Sequence, residues 1–444
     1  MRRMMYEARR ALASPVRNPR MAVVIGRLLG AAFIICFGTG VYSHFLQEPL
    51  PWMRFPTRPA TLYQFSQGTH IVAGIACFPL LLAKLYIVFP DLFQSPPVKS
   101  FLHLLERASI ALFVGASLVQ ITIGLINTYQ WYPWPFPFRE VHYALGWVLV
   151  GLLVLHIGIK LPVITRFWNS RAAAEPETPD AAGGTGVDAE QIARTDAADA
   201  EAVRLWGRRR PPGVTGRLIA WIDDTPTVHA LPETEAQAPA PAQARSLSRR
   251  GFLTTVGIAC AAVVGLTAGQ TFAPLDALNV FGPRKKGVGQ QSVPVNRTAE
   301  QAKVTASATA AGWVLTLAAG DVERRFSRAE LEAMPQTEVE LPIACVEGWS
   351  QLAVWRGVRL SQLADLVGAD PDASFRLVSL EQRGSFRQTE MGPEYVRDPL
   401  TLVALELNGE TLDLQHGYPA RMIAPGRPGV LQTKWLSRIE AITA

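Results

Sequence analysis

The stretch VHYALGWVLVGLLVLHIGI, residues 141–159, holds no Asp, Glu, Lys or Arg and carries histidine at positions 142 and 156. Its length matches the ~20 residues that a helix needs to cross a bilayer core of ~30 Å. His142 and His156 lie fourteen positions apart, almost four helical turns. Both rings therefore project from one face, roughly 21 Å apart along the axis. An ionisable residue inside a membrane marks function by default. Neutral imidazole is a good axial ligand for haem iron, and two axial histidines make a haem that carries electrons. The plainer alternative is a pair of histidines that hydrogen-bond neighbouring helices.

Three similar apolar runs precede this one, at residues 28–45, 62–83 and 108–126. Seven arginines stand before or at the start of the first: Arg2, Arg3, Arg9, Arg10, Arg17, Arg20 and Arg27. The positive-inside rule then places the N-terminus in the cytoplasm, and Lys160, Arg166 and Arg171 after the fourth run repeat that signature. The aromatic, proline-rich loop WYPWPFPF, residues 131–138, reads as an outer interfacial belt. His70 and His142 fall at the same depth on the outer side and form the expected outer haem pair. His156 lies toward the inner side. His103, followed by Glu106 and Arg107, and His44, near the outer end of the first run, are weaker ligand candidates.

Residues 20–165 resemble the four-helix bacterial cytochrome b family, through His70 and the pair His142/His156 on the fourth helix. The resemblance implies one or two b haems and electron exchange with quinone or quinol. The family usually draws its inner-haem partner from the cytoplasmic part of the first span, where residues 23–32 here contain no histidine.

The composition agrees with a membrane half. Charged residues are 18% of the 444, against roughly 25% for a typical soluble chain, and 49% are hydrophobic. That excludes a mostly disordered chain. The +6 formal charge sits largely in the N-terminal arginines rather than on one folded face, which argues against nucleic-acid binding. Four cysteines make no disulfide scaffold.

Residues 169–245 turn to Ala, Pro, Asp and Glu and read as a disordered cytoplasmic linker, in which His229 has no role. A basic, partly apolar insert within it (LWGRRRPPGVTGRLIAWI) is either linker or a surface-lying segment. Then Ser248-Arg249-Arg250-Gly251-Phe252-Leu253 precedes an uncharged stretch to Phe272. This resembles a twin-arginine export signal retained as a fifth span, and implies the twin-arginine export machinery as a partner during biogenesis. The chain that follows would lie outside the bacterial cytoplasmic membrane.

From Val293 onward short β-like runs dominate, at 338–346, 375–380, 401–407 and 435–442, with Asn408-Gly409 as a hairpin turn. Two short helices fit, one opened by the capping pair Ser327/Glu330 and one closed by Gly368. Cys345 is the only cysteine of this region; Cys36, Cys77 and Cys260 all fall in the spans. A lone thiol is a bystander, a reactive group or a soft ligand for a redox metal.

Two motifs resemble the sulfite oxidase-like molybdopterin family. One is Cys345-Val346-Glu347-Gly348-Trp349-Ser350 with Trp355-Arg356-Gly357. The other runs from Asn408-Gly409 through His416-Gly417-Tyr418-Pro419-Ala420-Arg421, Pro425-Gly426 and Gly429 to Lys434-Trp435. The resemblance implies that Cys345 is the thiolate on molybdenum. It implies that Trp349, Ser350, Asn408, His416, Arg421, Gly429 and Lys434 contact the molybdopterin. Asn296 and Arg297 stand where a longer cofactor clamp occurs in relatives. The tyrosine that sulfite oxidases place near the metal is missing, and the stretch reads Ser385-Phe386-Arg387-Gln388. Arg387, with Arg383, is either the group facing an anionic or polar substrate or a plain strand-surface arginine.

The expected architecture is multi-domain: an all-α transmembrane four-helix bundle plus a fifth span, then a β-rich α+β molybdopterin domain of the sulfite oxidase-like type. Its expected segments are a basic N-terminus (1–27), a membrane domain (28–168), a linker (169–245), the twin-arginine motif and fifth span (246–272), a linker (273–292) and the molybdopterin domain (293–444). The expected activity is oxygen-atom transfer on a small substrate, with reduction of an S-oxide ahead of sulfite-type oxidation. An inactive, haem-based redox sensor or carrier is the alternative.

Overall fold

The computed structural model describes residues 14, 16–93, 101–168, 248–282 and 284–442. The expected linker at 169–245, with its basic insert and His229, and most of the basic N-terminus lie outside the described residues.

Among the described residues, five helices are long and apolar enough to cross a membrane. They are α1 (Pro19–Gln47), α2 (Leu62–Val88), α3 (Phe101–Thr128), α4 (Phe138–Arg166) and α5 (Arg249–Thr267). The first four outrun the apolar runs by one to several turns. Helical hydrogen bonding continues past the apolar window into ends that carry Arg20 and Arg27 on α1, or Glu140 and Arg166 on α4. The apolar window of α4 is only 6% buried. Most of its apolar surface therefore faces outward, as suits a helix whose solvent is lipid.

The chain divides into two compact units. One comprises residues 1–32, 77–122 and 144–261. In it, Met21 and Ile25 of α1 pack with Leu80, Ala83 and Ile87 of α2 and with Phe252 and Val256 of α5. Lys84 donates to the Ala22 carbonyl at 2.6 Å, and Lys160 pairs with Glu106 at 2.6 Å. Each of these two helix-borne cations thus has an acceptor.

The other unit comprises residues 33–76, 123–143 and 262–444. Its β-rich part holds two five-stranded sheets. The strands are β1 (Val314–Ala319), β2 (Val322–Ser327), β3 (Thr337–Ala344), β4 (Ser350–Arg359), β5 (Ser374–Ser379), β6 (Gln388–Met391), β7 (Leu402–Leu407), β8 (Glu410–Thr411), β9 (Arg421–Ile423) and β10 (Leu436–Ile442). One sheet runs β2-β1-β10-β5-β6; the other runs β3-β4-β7-β8, with β9 also on β7. All pairs are antiparallel except β1 with β10. Strict burial alternation along β5 turns Phe375 and Leu377 into a core with Leu315, Leu317, Val358 and Ile439. A second core gathers Leu341, Ile343, Cys345, Trp355, Leu407 and Ile423. The turn Asn408-Gly409 joins β7 to β8 with positive φ at both residues (51° and 82°), as a two-residue hairpin needs. Ser327 and Glu330 form the capping box of the helix Arg328–Ala333. The stretch expected as plain linker at 273–292 opens with the short helix Ala273–Asp276.

Candidate active site

Cys345 ends the run of β3 and starts the five-residue turn into β4, which resumes at Ser350 opposite Ala344. The turn is closed by its own backbone: Cys345 N–H donates to the Trp349 carbonyl at 2.9 Å, and Gly348 N–H to the Cys345 carbonyl at 3.1 Å. Gly348 adopts φ +91°, a conformation that glycine accepts at little cost. Trp349 is buried, and its indole N–H donates to Glu347 at 2.9 Å. Cys345 itself is 2% exposed. Burial, and the charge of Glu347, push its thiol well above the usual range in the protein alone. Arg284 and Lys434 act in the opposite direction and favour the thiolate.

The second group of residues gathers around a set of buried cations. Arg421, on β9, is 1% exposed and donates to the carbonyls of His416 (2.9 Å) and Gln432 (3.2 Å), while its Nε has no partner. Its guanidinium lies 5.1 Å from the Trp355 ring centre. Lys434 Nζ donates to the carbonyls of Arg297 (3.0 Å) and Gln415 (2.8 Å). His416 is 1% exposed and meets the Gln290 carbonyl at 2.7 Å through Nε2. Asn408 holds the same segment from the other side, donating to the Gln291 carbonyl at 2.8 Å.

All the acceptors of Arg421 and Lys434 are neutral carbonyls. Burial lowers Arg421 to about 9. Burial, reinforced by Arg421, lowers Lys434 to about 7. Burial, then Arg421 and Lys434, lowers His416 to about 3. Two buried cations, the second depressed by the first, with one guanidinium N–H left without a partner, make a lining that can receive an anion.

Gly429 opens the turn Gly429–Leu431, where a Cβ would stand 3.0 Å from the Ala344 carbonyl. The close approach sets the Arg427–Gly429 segment against the residue before Cys345, and Ala344 bridges Pro428 directly. Asn296 caps Arg297 N–H at 2.9 Å, and Arg297 pairs with Glu381 at 2.8 Å. Ser350 is buried at the foot of β4. Arg383 and Arg387 are exposed, between β5 and β6. The cations whose charge reaches Cys345 are instead Arg284 and Lys434.

Sequence reasoning assigned no role to Glu347, Arg284, Gln67 or Arg427. Arg427 is 3% exposed and leaves Nε and Nη1 without partners. Flanking Pro and Gly mark a turn and give no sign of this burial, which comes from the fold.

In the helical segments of the same unit, the rings of His70 (α2) and His142 (α4) stand 6.2 Å apart, centre to centre, at 80°. Two nitrogen–metal bonds of about 2 Å, with the half-widths of two imidazoles, span a similar ~6 Å. His70 Nδ1 lies 2.8 Å from the Cys36 carbonyl. That contact assigns the proton to Nδ1 and leaves the Nε2 lone pair for a metal. At Gly40 of α1 a Cβ would fall 2.8 Å from His70 Cε1, so the ring's position requires glycine there. His44 instead stacks on Tyr143 at 3.6 Å. His156, in the first unit, has its ring 5.8 Å from that of Phe113, and His103 lies in the first turn of α3.

Residues 301–444 match the family model of the oxidoreductase molybdopterin binding domain. The chain is 31% identical over 110 residues to the putative protein-methionine-sulfoxide reductase subunit YedZ1 of Azospira oryzae, covering 25% of this chain and 41% of that protein. It is 34% identical over 116 residues to the protein-methionine-sulfoxide reductase catalytic subunit MsrP of Gluconobacter oxydans, covering 22% and 36%. It is 33% identical over 104 residues to the sulfite oxidase of Arabidopsis thaliana, covering 20% and 26%. The chain therefore spans well under two thirds of each of these relatives.

Proposed function

We propose that this chain, which carries an oxidoreductase molybdopterin binding domain at residues 301–444, is a membrane-bound molybdenum enzyme fused to its own haem electron carrier. The observation that carries the reading is the coexistence, in one unit, of a buried cysteine hairpin, a pair of buried cations with one unpartnered guanidinium N–H, and a histidine pair at metal-bridging separation. Likeness to proteins named as two different methionine-sulfoxide reductase subunits, YedZ1 and the catalytic subunit MsrP, supports the fusion.

The residues fit the cofactor. When bound, molybdopterin supplies the two-electron metal chemistry that adds or removes an oxygen atom. Cys345 is the soft anionic ligand, held rigid by its closed turn. Arg421, Lys434 and His416 bind the cofactor's phosphate, and the Arg421 Nε and the Lys434 ammonium find there the anion that the protein alone does not provide. His70 and His142 hold a b haem, with the Cys36 carbonyl fixing the tautomer of the first. His156 is the remaining candidate for a second haem.

In this reading the N-terminus is cytoplasmic and the β-rich domain lies outside the cytoplasmic membrane. The electron source is membrane quinol, and the substrate is an S-oxide-type compound. Quinol gives two electrons and two protons; the S-oxide takes two electrons and two protons and leaves as sulfide and water. Likeness to a sulfite oxidase keeps the reverse direction as the second reading.

The test is metal analysis of detergent-purified protein. One molybdenum and one or two haem irons per chain support the proposal. Iron without molybdenum, in a host that makes the cofactor, overturns it in favour of a haem sensor or carrier.

A further inference from the structure

The hairpin that bears Cys345 does not hang free of the membrane helices. Every residue between Cys345 and Trp349 is gripped by a helix end or by the chain just beyond one. Gln67 of α2, 6% exposed, donates its amide to the Val346 carbonyl at 2.9 Å. Gln130, just beyond α3, donates to the Glu347 carboxylate and accepts from Arg284 at 3.0 Å. Thr271, just beyond α5, donates to the Gly348 carbonyl at 3.1 Å. Gly348 lies so close to α2 that a Cβ would stand 2.8 Å from Ile71. On α2 itself, Gly68 makes room for Thr271, whose methyl would be 2.6 Å from a Cβ there.

These anchors sit beside the histidine pair. Gln67 and His70 are one turn apart on α2, roughly 4.5 Å of rise. Ile71, the residue after His70, touches the turn that Cys345 begins. A domain joined to the membrane only by a flexible tether needs none of these buried polar contacts, each of which costs desolvation unless it is made.

Building on the proposed function, we propose that α2 is a seat for the Cys345 hairpin. On it, electrons pass directly between the haem at His70/His142 and the molybdenum at Cys345, one at a time and without a separate soluble carrier. Each ferrous haem that becomes ferric gives one electron, and two such transfers complete the reduction needed per S-oxide. Gln67 is the positioning residue: it touches neither metal but fixes the hairpin that does.

The experiment is pulsed dipolar EPR on the full-length protein in detergent, partly reduced with dithionite so that paramagnetic molybdenum and ferric haem coexist. It requires no substrate and no direction of flux. A single narrow distance is expected. Gln67→Ala should broaden it, while leaving the haem spectrum, haem potential and molybdenum content unchanged. Haem reoxidation by substrate should slow in that variant. In wild type that rate should not change on dilution. A broad or unresolved coupling in wild type with both metals present overturns the seat alone, as does a rate that needs an added soluble carrier. A missing metal overturns the functional reading and the seat with it.

Discussion

The side-chain amide of Gln67 donates to the carbonyl of Val346 at 2.9 Å, across 279 positions of sequence. It ties a helix turn next to His70 to the residue next to Cys345. The site's two halves, one read from membrane histidines and one from a soluble thiol, thereby share a single frame, and several consequences follow from its geometry.

Replacing Gly348 by alanine combines two penalties, a φ of +91° and a Cβ 2.8 Å from Ile71. The expected cost is about 1–3 kcal/mol. Ile71→Ala in the same chain should recover the steric part and leave the backbone part, so the two changes should be non-additive. Thermal unfolding of the four members of this cycle measures it; strict additivity would show that the contact is not made.

The cation cluster gives the cofactor-free protein a defined pH dependence. Lys434 titrates near 7 in the folded chain against about 10.5 when exposed, with burial as the main cause. Between those values the unfolded chain binds the proton and the folded chain does not. Stability of the cofactor-free protein should therefore rise with pH from about 7 to about 9, above which the raised Cys345 thiol acts in the opposite sense. A bound phosphate favours the charged ammonium, so loading should take up protons near neutrality and flatten the slope. Unfolding midpoints of loaded and cofactor-free protein across that range test this; a falling slope in the cofactor-free protein would refute it.

Haem binding should depend on residues unequally. His70→Leu or His142→Leu should remove the haem held between them, whereas His44→Leu should leave it, because His44 stacks on Tyr143. Gly40→Val should lower occupancy by driving a side chain into His70. His156→Leu should reduce iron by one per chain only where a second haem is bound. Haem absorbance and iron per chain read all five variants.

Arg421→Lys is not a conservative change. It keeps the charge but gives up the fork that reaches both the His416 and Gln432 carbonyls, and it takes away the Nε meant for the anion. We expect molybdenum content to fall by about 10-fold or more with haem unaffected, on the scale seen for residues that support a metal site. Equal metal content in variant and wild type would remove Arg421 from cofactor binding.

Much of this was legible in the chain because its signals are local. Apolar length, the Asn408-Gly409 turn and the Ser327/Glu330 box are all set by near neighbours in sequence. What escaped depends on distant partners. Strand β2 (VERRFS) is largely exposed and does not alternate, so only its pairing with β1 makes it a strand. Gln67 reads as one polar residue in an apolar helix, and Arg284 as one more loop arginine, until the fold sets both against the Cys345 hairpin. Arg387 is exposed between β5 and β6, a position open to a substrate from solvent.

The most direct test of the whole account is a single-turnover measurement on the purified full-length protein. The haems are reduced with quinol, excess reductant is removed, and a small S-oxide is added while haem absorbance is followed. We predict full reoxidation, lowered by more than about 100-fold in rate in Cys345→Ala with its haem spectrum intact. Haems that stay reduced with S-oxide, in protein whose oxidised haems sulfite also fails to reduce, would contradict the coupling of haem to molybdenum on which the account rests.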